Sequence, residues 1–151
     1  MSTDVEEILV DICWALSYIS DAGVQRIPMI ISTGVVPCLL QLLESQSLAI
    51  SVACLRTIGN LLTGPDEETQ VLLDAGVLDS LNRLLTHHKK TVRKEVCWSV
   101  SNITAGNSNQ IQCCLDTGLI DKIIYILNHD DPEVRKEAIW GLSNSTSNAT
   151  D

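Results

Sequence analysis

The sequence predicts an all-α solenoid, a stack of similar helical units, and two observations lead to this prediction. The chain matches itself at an offset of 42 residues, and inside each matched segment the apolar residues follow the three- and four-residue spacing of a helix. The 151 residues are 45% hydrophobic, 19% charged and 3% aromatic. This composition suits one ordinary domain with a core and argues against a disordered chain or a coiled coil.

The repeat rests on three landmarks. A glycine opens an apolar segment at Gly34, Gly76 and Gly118. The other landmarks are a position that holds Trp or Arg and, four residues later, a position that holds Asn or Tyr: Trp14, Arg56, Trp98 and Trp140, followed by Tyr18, Asn60, Asn102 and Asn144. A helical repeat of ~40–47 residues is typical of armadillo or HEAT-type units.

The elements follow from this period in chain order. Residues 4–20 are predicted to form one leading long helix, and three complete units are predicted at 21–64, 65–106 and 107–148 of a single repeat region. Each unit is predicted to contain three helices, which favours armadillo units over two-helix HEAT units. The expected architecture is therefore a right-handed armadillo-repeat superhelix.

The middle unit illustrates the three helices. Glu67 to Asp74 is predicted to form a short first helix, the segment after Gly76 a second one, and Thr91 to Thr104 the long third one. The third helix carries one apolar stripe at intervals of four, four and three residues: Val92, Val96, Val100 and Ile103.

Residues that favour helix ends support these boundaries. Pro and Asp suit the first turn of a helix and occupy matching places in the three second helices: Pro37, Asp79 and Asp121. Asp131, just before Pro132, is the expected N-cap of the last long helix. Gly106 is expected to end the middle long helix in a left-handed conformation, and Asn148 occupies the matching place.

Neither end is predicted to be a polar capping repeat, because the leading helix lacks the two helices that precede it in a complete unit and the sequence stops directly after the last long helix. One interpretation is a small complete solenoid. The favoured one is a segment of a longer solenoid, or a chain that covers its ends by self-association.

Charge and cysteine content exclude several classes of function. The net charge of −9 argues against direct binding of nucleic acid and favours basic ligands. No apolar run approaches the ~20 residues that span a membrane. None of the six cysteines forms a CxxC pair, so we expect free thiols, no metal site and no cofactor.

A recurring polar ladder is the candidate functional feature. Glu95, Trp98 and Asn102 fall on one face of the predicted third helix. The other third helices carry related sets, which are Asp11, Trp14 and Tyr18, then Arg56 and Asn60, then Glu137, Trp140 and Asn144. Because a buried amide must satisfy several hydrogen-bonding groups and a buried carboxylate is costlier still, we expect the ladder to be exposed.

The residue types in this ladder suit an extended basic peptide. An Asn amide can pair with the N–H and C=O of a peptide backbone. Third helices that lie ~8–10 Å apart match about three residues of extended chain. Slots between Trp rings suit Lys and Arg side chains, whose charged ends would meet Asp11, Glu95 and Glu137.

Several segments of the chain resemble importin-α, the nuclear-import adaptor. The resemblance is carried by residues 13–18, 55–60 and 136–140, and above all by 94–106, which read KEVCWSVSNITAG. The order of the irregular units, with Tyr18 in place of Asn and then Arg56 in place of Trp, corresponds to the fifth to eighth repeats of that family. The resemblance implies the minor binding site for nuclear localisation signals.

The resemblance also implies which residues form that site. The matching positions are Arg56, Asn60, Leu62, Gly64, Thr69, Glu95, Trp98, Ser101, Asn102, Glu137, Trp140 and Asn144. In the family, the positions of Gly64, Thr69 and Asn102 hold a favoured basic residue near a helix end. Leu62 stands where a smaller valine is usual. The basic amino-terminal segment that binds importin-β in the family, and its earlier Trp–Asn repeats, have no counterpart here.

Two other functional classes fit the sequence less well than nuclear import does. Catalysis is disfavoured because equivalent carboxylates recur along the ladder, which suits a polymeric ligand better than one reaction centre, so no catalytic residue is predicted. A general armadillo scaffold that binds acidic partners through a basic groove would need the opposite ladder charge, which only Arg56 supplies. A nuclear-import adaptor would shuttle between cytoplasm and nucleus.

Overall fold

The computed structural model describes residues 3–147, and every regular element in that range is helical. One turn of 3-10 helix covers Val24–Arg26. The α-helices, in chain order, are α1 Thr3–Asp21, α2 Ile27–Ser32, α3 Val36–Leu43, α4 Leu48–Leu61, α5 Asp66–Asp74, α6 Val77–Leu84, α7 Lys90–Thr104, α8 Ser108–Asp116, α9 Leu119–His129 and α10 Pro132–Ser147. The prediction of an all-α solenoid is confirmed.

The helices follow the predicted boundaries closely. The leading helix, the short helix α5 and the long helix α7 each begin one residue before the predicted start. Asp79 and Asp121 lie in the first turns of α6 and α9, and Pro37 lies in that of α3. The carbonyl of Asp131 accepts the first amide bonds of α10, as expected at an N-cap.

The prediction of a left-handed cap at Gly106 is wrong. Left-handed backbone occurs instead at the glycines that begin each apolar segment, with φ of 75° at Gly34, 90° at Gly76 and 68° at Gly118. A methyl group at Gly106 would overlap the side-chain oxygen of Gln110, which would have to move aside. The matching prediction for Asn148 lies outside the described residues.

The long helices α1, α4, α7 and α10 pack side by side in chain order and form the spine of the core. The predicted stripe of α7 is fully enclosed between its neighbours: Val92, Val96, Val100 and Ile103. The equivalent face of α4 is buried as well. Helices that stack in register place residues 42 apart at the same height, and this positions the ladder.

The cysteines are free thiols, and four of them lie in the core: Cys13, Cys54, Cys97 and Cys114. Burial raises the pKa of Cys97 and Cys114 to about 12, so these thiols stay protonated and pack as small apolar groups. Between residues 3 and 147, no group of three or more His, Cys, Asp or Glu side chains could hold a metal ion.

No single described helix is long and apolar enough to cross a membrane. The bent pair Val24–Ser32 and Val36–Leu43, with an angle of 91° between its halves, meets the length and composition requirement only together.

Candidate functional site

The asparagines of the ladder tie neighbouring long helices together. The side-chain amide of Asn102 donates to the carbonyl of Gly59 at 3.1 Å, and that of Asn144 donates to the carbonyl of Ser101 at 2.9 Å. Asn60 donates in the same way to the carbonyl of Ser17 at 3.1 Å. Each acceptor lies 43 residues before its donor, so one bond recurs at every step of the spine. The ladder is therefore partly structural.

The expectation of a fully exposed ladder fails at the middle of the site. Asn60 is only 4% exposed, and its second amide hydrogen bonds to Ser20. Three further positions implied by the resemblance are also buried: Leu62, Thr69 and Ser101. Burying Asn60 is possible because both its amide hydrogens find partners on α1. Sequence reasoning missed this because the acceptors are carbonyl groups of a distant segment.

Asn102 and Asn144 remain partly exposed. Within residues 3–147, each makes only the one hydrogen bond to the preceding long helix. One amide hydrogen and the carbonyl oxygen of each side chain therefore face away from that bond. This is the donor and acceptor pair that an extended peptide backbone can use.

The chain's own arginine occupies the slot beside Trp98. The guanidinium carbon of Arg56 lies 5.2 Å from the centre of the Trp98 ring, and Arg56 Nη2 lies 2.6 Å from Glu95 Oε1. The ring rests on Gly59, where a methyl group would overlap it. The slot that was expected to take a ligand cation is thus filled on this side by an intramolecular cation–π contact.

The Glu95 carboxylate is less available to a ligand than expected, because Arg56 already pairs with one of its oxygens. Its second oxygen, Oε2, is buried and lacks a hydrogen-bond partner within the described part of the chain. Burial raises the pKa of Glu95, and the Glu137 charge adds to that rise, whereas Arg56 and Lys94 oppose it. A cavity of about 260 Å³ opens beside this group and is lined by Arg56, Lys94, Glu95, Trp98 and Glu137.

A second cavity, of about 310 Å³, lies where α4 and α7 end. Its lining includes four positions implied by the resemblance together with neighbouring residues: Leu62, Thr63, Gly64, Asp66, Thr69, Asn102, Ala105 and Gly106. The carboxyl end of a helix carries partial negative charge, and Asp66 adds a carboxylate. Asp66 is also the first residue of α5, whose amino-terminal end carries partial positive charge, and its Oδ2 accepts a hydrogen bond from Asn107. A cation in the cavity would therefore be attracted by the two helix ends and by this carboxylate, and partly repelled by the start of α5. The sequence did not single out Asp66, although its acidity at the start of α5 was visible.

The ladder residues on the two outermost long helices, α1 and α10, differ from those between α4 and α7. Each such set of ladder residues is called a rung below. Trp140 is 55% exposed, and Glu137 lies one turn before it on α10. On α1, Trp14 packs partly against the core with its ring 6.1 Å from that of Tyr18, which is exposed, as is Asp11. The structure therefore places Trp14 as a half-buried support and Trp140 as an open ring.

The stacked helical units and their ladder define an α-solenoid of the armadillo type. A family model for armadillo/beta-catenin-like repeats matches residues 24–63, 65–105 and 107–144. The chain belongs to this armadillo repeat family.

Among curated relatives, the chain is similar to importin subunits alpha, which confirms the resemblance. Importin subunit alpha-3 of Arabidopsis thaliana is 52% identical over 69 residues, which is 46% of this chain and 13% of that protein. Importin subunit alpha-1b of Oryza sativa subsp. japonica is 46% identical over 69 residues, with the same coverage of 46% and 13%. The matched part spans only about an eighth of these relatives' length.

Solved structures give the same fold at higher coverage. A designed armadillo repeat protein in complex with the peptide (KR)4 has a TM-score of 0.89 at 32% identity, covering 92% of this chain and 58% of that one. Computationally designed armadillo repeat proteins for modular peptide recognition give a TM-score of 0.83 at 30% identity, covering 87% of this chain and 56% of that one.

Proposed function

We propose that this chain binds extended Lys- and Arg-rich segments of the nuclear-localisation-signal type across α4, α7 and α10, as the minor-site half of a nuclear import adaptor. The single observation that carries the proposal is the cavity between the carboxyl ends of α4 and α7. A lysine ammonium there would meet two helix ends, the Asp66 carboxylate and the Asn102 amide.

The rest of the ladder supports the same ligand. The Asn102 and Asn144 amides lie along the spine between this cavity and the exposed Trp140 ring with its neighbour Glu137. An aliphatic stem that ends in a cation can pack on that ring and reach that carboxylate. The related designed protein that holds a (KR)4 peptide, and relatives named importin subunit alpha, favour this reading. Such an adaptor would shuttle between cytoplasm and nucleus.

A general armadillo scaffold for acidic partners is the second candidate. Arg56 and Lys94 line the cavity beside Trp98, and they would attract a carboxylate. The net charge of −9 opposes this partner at longer range, because it repels acidic chains before they make contact.

The test is a titration with fluorescently labelled peptides of equal length, one alternating Lys and Arg and one rich in Asp. We expect the basic peptide to bind and its affinity to fall several-fold with added salt, because the attraction is partly electrostatic. Tighter binding of the acidic peptide would overturn the proposal.

Two matched pairs of variants locate the site. Asp66→Asn removes the carboxylate of the cavity, and Asp74→Asn removes the same charge from the far end of α5. Trp140→Ala removes an exposed ring of the ladder, and Tyr125→Ala removes an exposed ring on α9. We expect weaker binding from the first member of each pair only; equal effects within both pairs would mean that the peptide binds elsewhere.

A further inference from the structure

A cavity of about 350 Å³ lies at the opposite end of α7 from the cavity near Asp66. It opens between α9 and the turn that joins α6 to α7. Leu85 and Ile126, which are 2% and 4% exposed, give it an apolar floor, and Lys122 lines it as well. Because α7 has 15 residues and is about 22 Å long, a ligand here is remote from the cavity near Asp66.

This cavity lies inside the stack, where the repeats matched at 65–105 and 107–144 meet. Beside it, the Asn82 side chain of α6 donates to the Thr117 carbonyl at 2.8 Å and joins the two units. Tyr125, also part of the lining, is 64% exposed. Its equivalents in the two earlier units, Gln41 and Arg83, are exposed as well although a further unit follows each of them. A following unit therefore leaves this position of the fold uncovered.

The matching place one unit earlier already holds a carboxylate. Arg83 Nη2, on α6, lies 2.5 Å from Glu44 Oε1 and 3.2 Å from Ser80 Oγ. Glu44 is the first residue after α3, in the turn that leads to α4. Because the units stack in register, this pair shows that the place accepts a carboxylate at the turn and a cation from the next second helix.

The cavity has a cation at this place but lacks the carboxylate. Forty-two residues later in the chain, Thr86 replaces the carboxylate, Tyr125 the guanidinium and Lys122 the hydroxyl. Lys122 Nζ donates to the Asn82 carbonyl at 3.0 Å and makes no ion pair within residues 3–147. An ammonium group carries three hydrogens, so two remain for an acceptor from another molecule.

The other two charges that line the cavity pair with each other and hold its wall in place. Arg93 Nε and Nη2 each lie 2.6 Å from an oxygen of Asp130, and Arg93 Nη1 donates to the His87 carbonyl at 2.7 Å. Arg93 holds the pKa of Asp130 below its ordinary value, so the pair stays charged and its two charges compensate. A ligand therefore meets a preformed wall, which lowers the entropy cost of binding.

Basic residues are concentrated next to this cavity, although the whole chain is acidic. Four of the ten Lys and Arg residues lie in the segment 89–94, around the start of α7. Lys90 is 3.9 Å from Glu133, whereas Lys89 makes no ion pair in the part of the chain that the structure describes. Salt screens the more distant negative charges of the chain, so the local charge favours an acidic ligand at short range.

We propose that this cavity binds an acidic segment of a partner protein. A Glu or Asp carboxylate of the partner pairs with Lys122, and an adjacent apolar side chain packs on Leu85 and Ile126. The partner thereby supplies the group that Glu44 supplies one unit earlier. The volume is at the small end of the ~300–1,000 Å³ of ligand cavities, which suits one or two side chains. The site is separate from the ladder, so one chain can hold a basic and an acidic segment together.

The test is an NMR titration of the isotope-labelled 151-residue chain with two short, Ser-rich peptides. One peptide carries Glu next to Leu, and the other has Gln in place of each Glu. We expect the Glu peptide to shift the amide signals of residues 85–93 and 122–130. The Gln peptide should bind about 5–10-fold more weakly, because it makes no charge-assisted hydrogen bond. No shift with the Glu peptide, or shifts at Arg56 and Trp98 instead, would overturn the proposal.

A matched pair of variants separates a specific contact from general charge attraction. Lys122→Gln should weaken binding of the Glu peptide about 5-fold, because it removes the cation of the cavity. Lys136→Gln removes the same charge from an exposed position on α10, outside this cavity, and should leave the affinity unchanged. Equal effects of the two variants would mean that only the overall charge matters, and the proposal would be wrong.

A double variant tests the comparison with the earlier unit. Thr86→Glu combined with Tyr125→Arg rebuilds the pair of Glu44 and Arg83 at the cavity and leaves the net charge unchanged. The new carboxylate competes for Lys122, so the Glu peptide should lose its binding, and an undiminished affinity contradicts the proposal. Both replaced side chains are exposed, and circular dichroism checks that the variant is folded.

A basic peptide titrated into the same samples keeps the two sites apart. Its shifts should occur around Asn102 and Trp140, which belong to the ladder. Failure of the basic peptide to bind would count against the proposed function alone, and failure of the Glu peptide against the acidic site alone.

Discussion

The middle and the last rungs of the ladder have the same sequence pattern but different structural roles. At the middle rung, between α4 and α7, the Trp98 ring lies on Gly59 with Arg56 above it, and Glu95 pairs with that arginine. At the last rung, on α10, the Trp140 ring is largely exposed. A side chain at a given repeat position therefore stabilises the fold where neighbouring residues pack around it, and is accessible to a ligand where they do not.

The asparagines extend this comparison. Asn60 donates both amide hydrogens to acceptors on α1, whereas Asn102 and Asn144 each donate one to the preceding long helix. The same side chain therefore both clamps neighbouring units and, where it is exposed, offers groups to a ligand. Clamping also holds the amide in one orientation, which lowers the entropy cost of binding a peptide.

Replacing the two tryptophans gives the largest expected difference between the rungs. Trp98→Ala should lower the free energy of unfolding by about 3 kcal/mol, because it removes a ring packed on Gly59 and Arg56. Trp140→Ala should change it by less than about 0.5 kcal/mol, as expected for an exposed side chain. Urea unfolding followed by circular dichroism measures both. Equal losses of stability would mean that the two rungs are equally packed.

Two glycine substitutions test the same difference in packing between the middle and the last rung. Gly59→Ala should destabilise the protein by about 1–3 kcal/mol, because the new methyl group overlaps the Trp98 ring. Gly141→Ala should stabilise it by about 0.5–1 kcal/mol, since the nearest atoms lie 3.8 Å from the new methyl group and alanine favours the helix. Thermal unfolding of both variants is the measurement. Stabilisation by Gly59→Ala would show that the ring moves aside at little cost.

The smallest expected effect is a pH dependence that belongs to the middle rung. Burial raises the pKa of Glu95, so this carboxylate takes up a proton at higher pH than an exposed glutamate does. A protonated Glu95 no longer attracts a cation, so basic-peptide affinity should fall about 2–3-fold as the pH drops from neutral toward the ordinary glutamate pKa of 4.5. Peptide titrations across this range measure it.

The raised pKa of Glu95 also determines whether the free energy of unfolding rises or falls with pH. A raised pKa in the folded state means that folding favours proton uptake, so the contribution of Glu95 to stability rises as the pH falls toward its ordinary pKa of 4.5. Glu95→Gln should therefore lose this pH dependence of unfolding, and Glu67→Gln, at an exposed position on α5, serves as the control of equal charge. An unchanged pH profile in Glu95→Gln would contradict the assignment.

Much of the fold could be predicted because helix formation and stacking depend on local pattern. The interval of the apolar residues in α7, and the acidic or proline residues in first turns, are visible within a few residues of sequence. The cap at Gly106 could not be assigned in this way. A glycine can serve a left-handed backbone or a close approach, and at Gly106 the backbone is not left-handed whereas the side-chain oxygen of Gln110, four residues on, lies close to it.

The 42-residue period by itself determined the helices, their order and which side chains share a height along the spine, because stacked identical units must repeat their contacts. Only the tertiary structure decided which rungs are filled. Arg56 and Glu95 are 39 residues apart in the chain and meet only when α4 packs on α7, and Asn60 is buried only because α1 presents carbonyl and hydroxyl groups to it. Whether a polar side chain clamps the fold or faces a ligand depends on atoms from a neighbouring helix, which no local pattern contains.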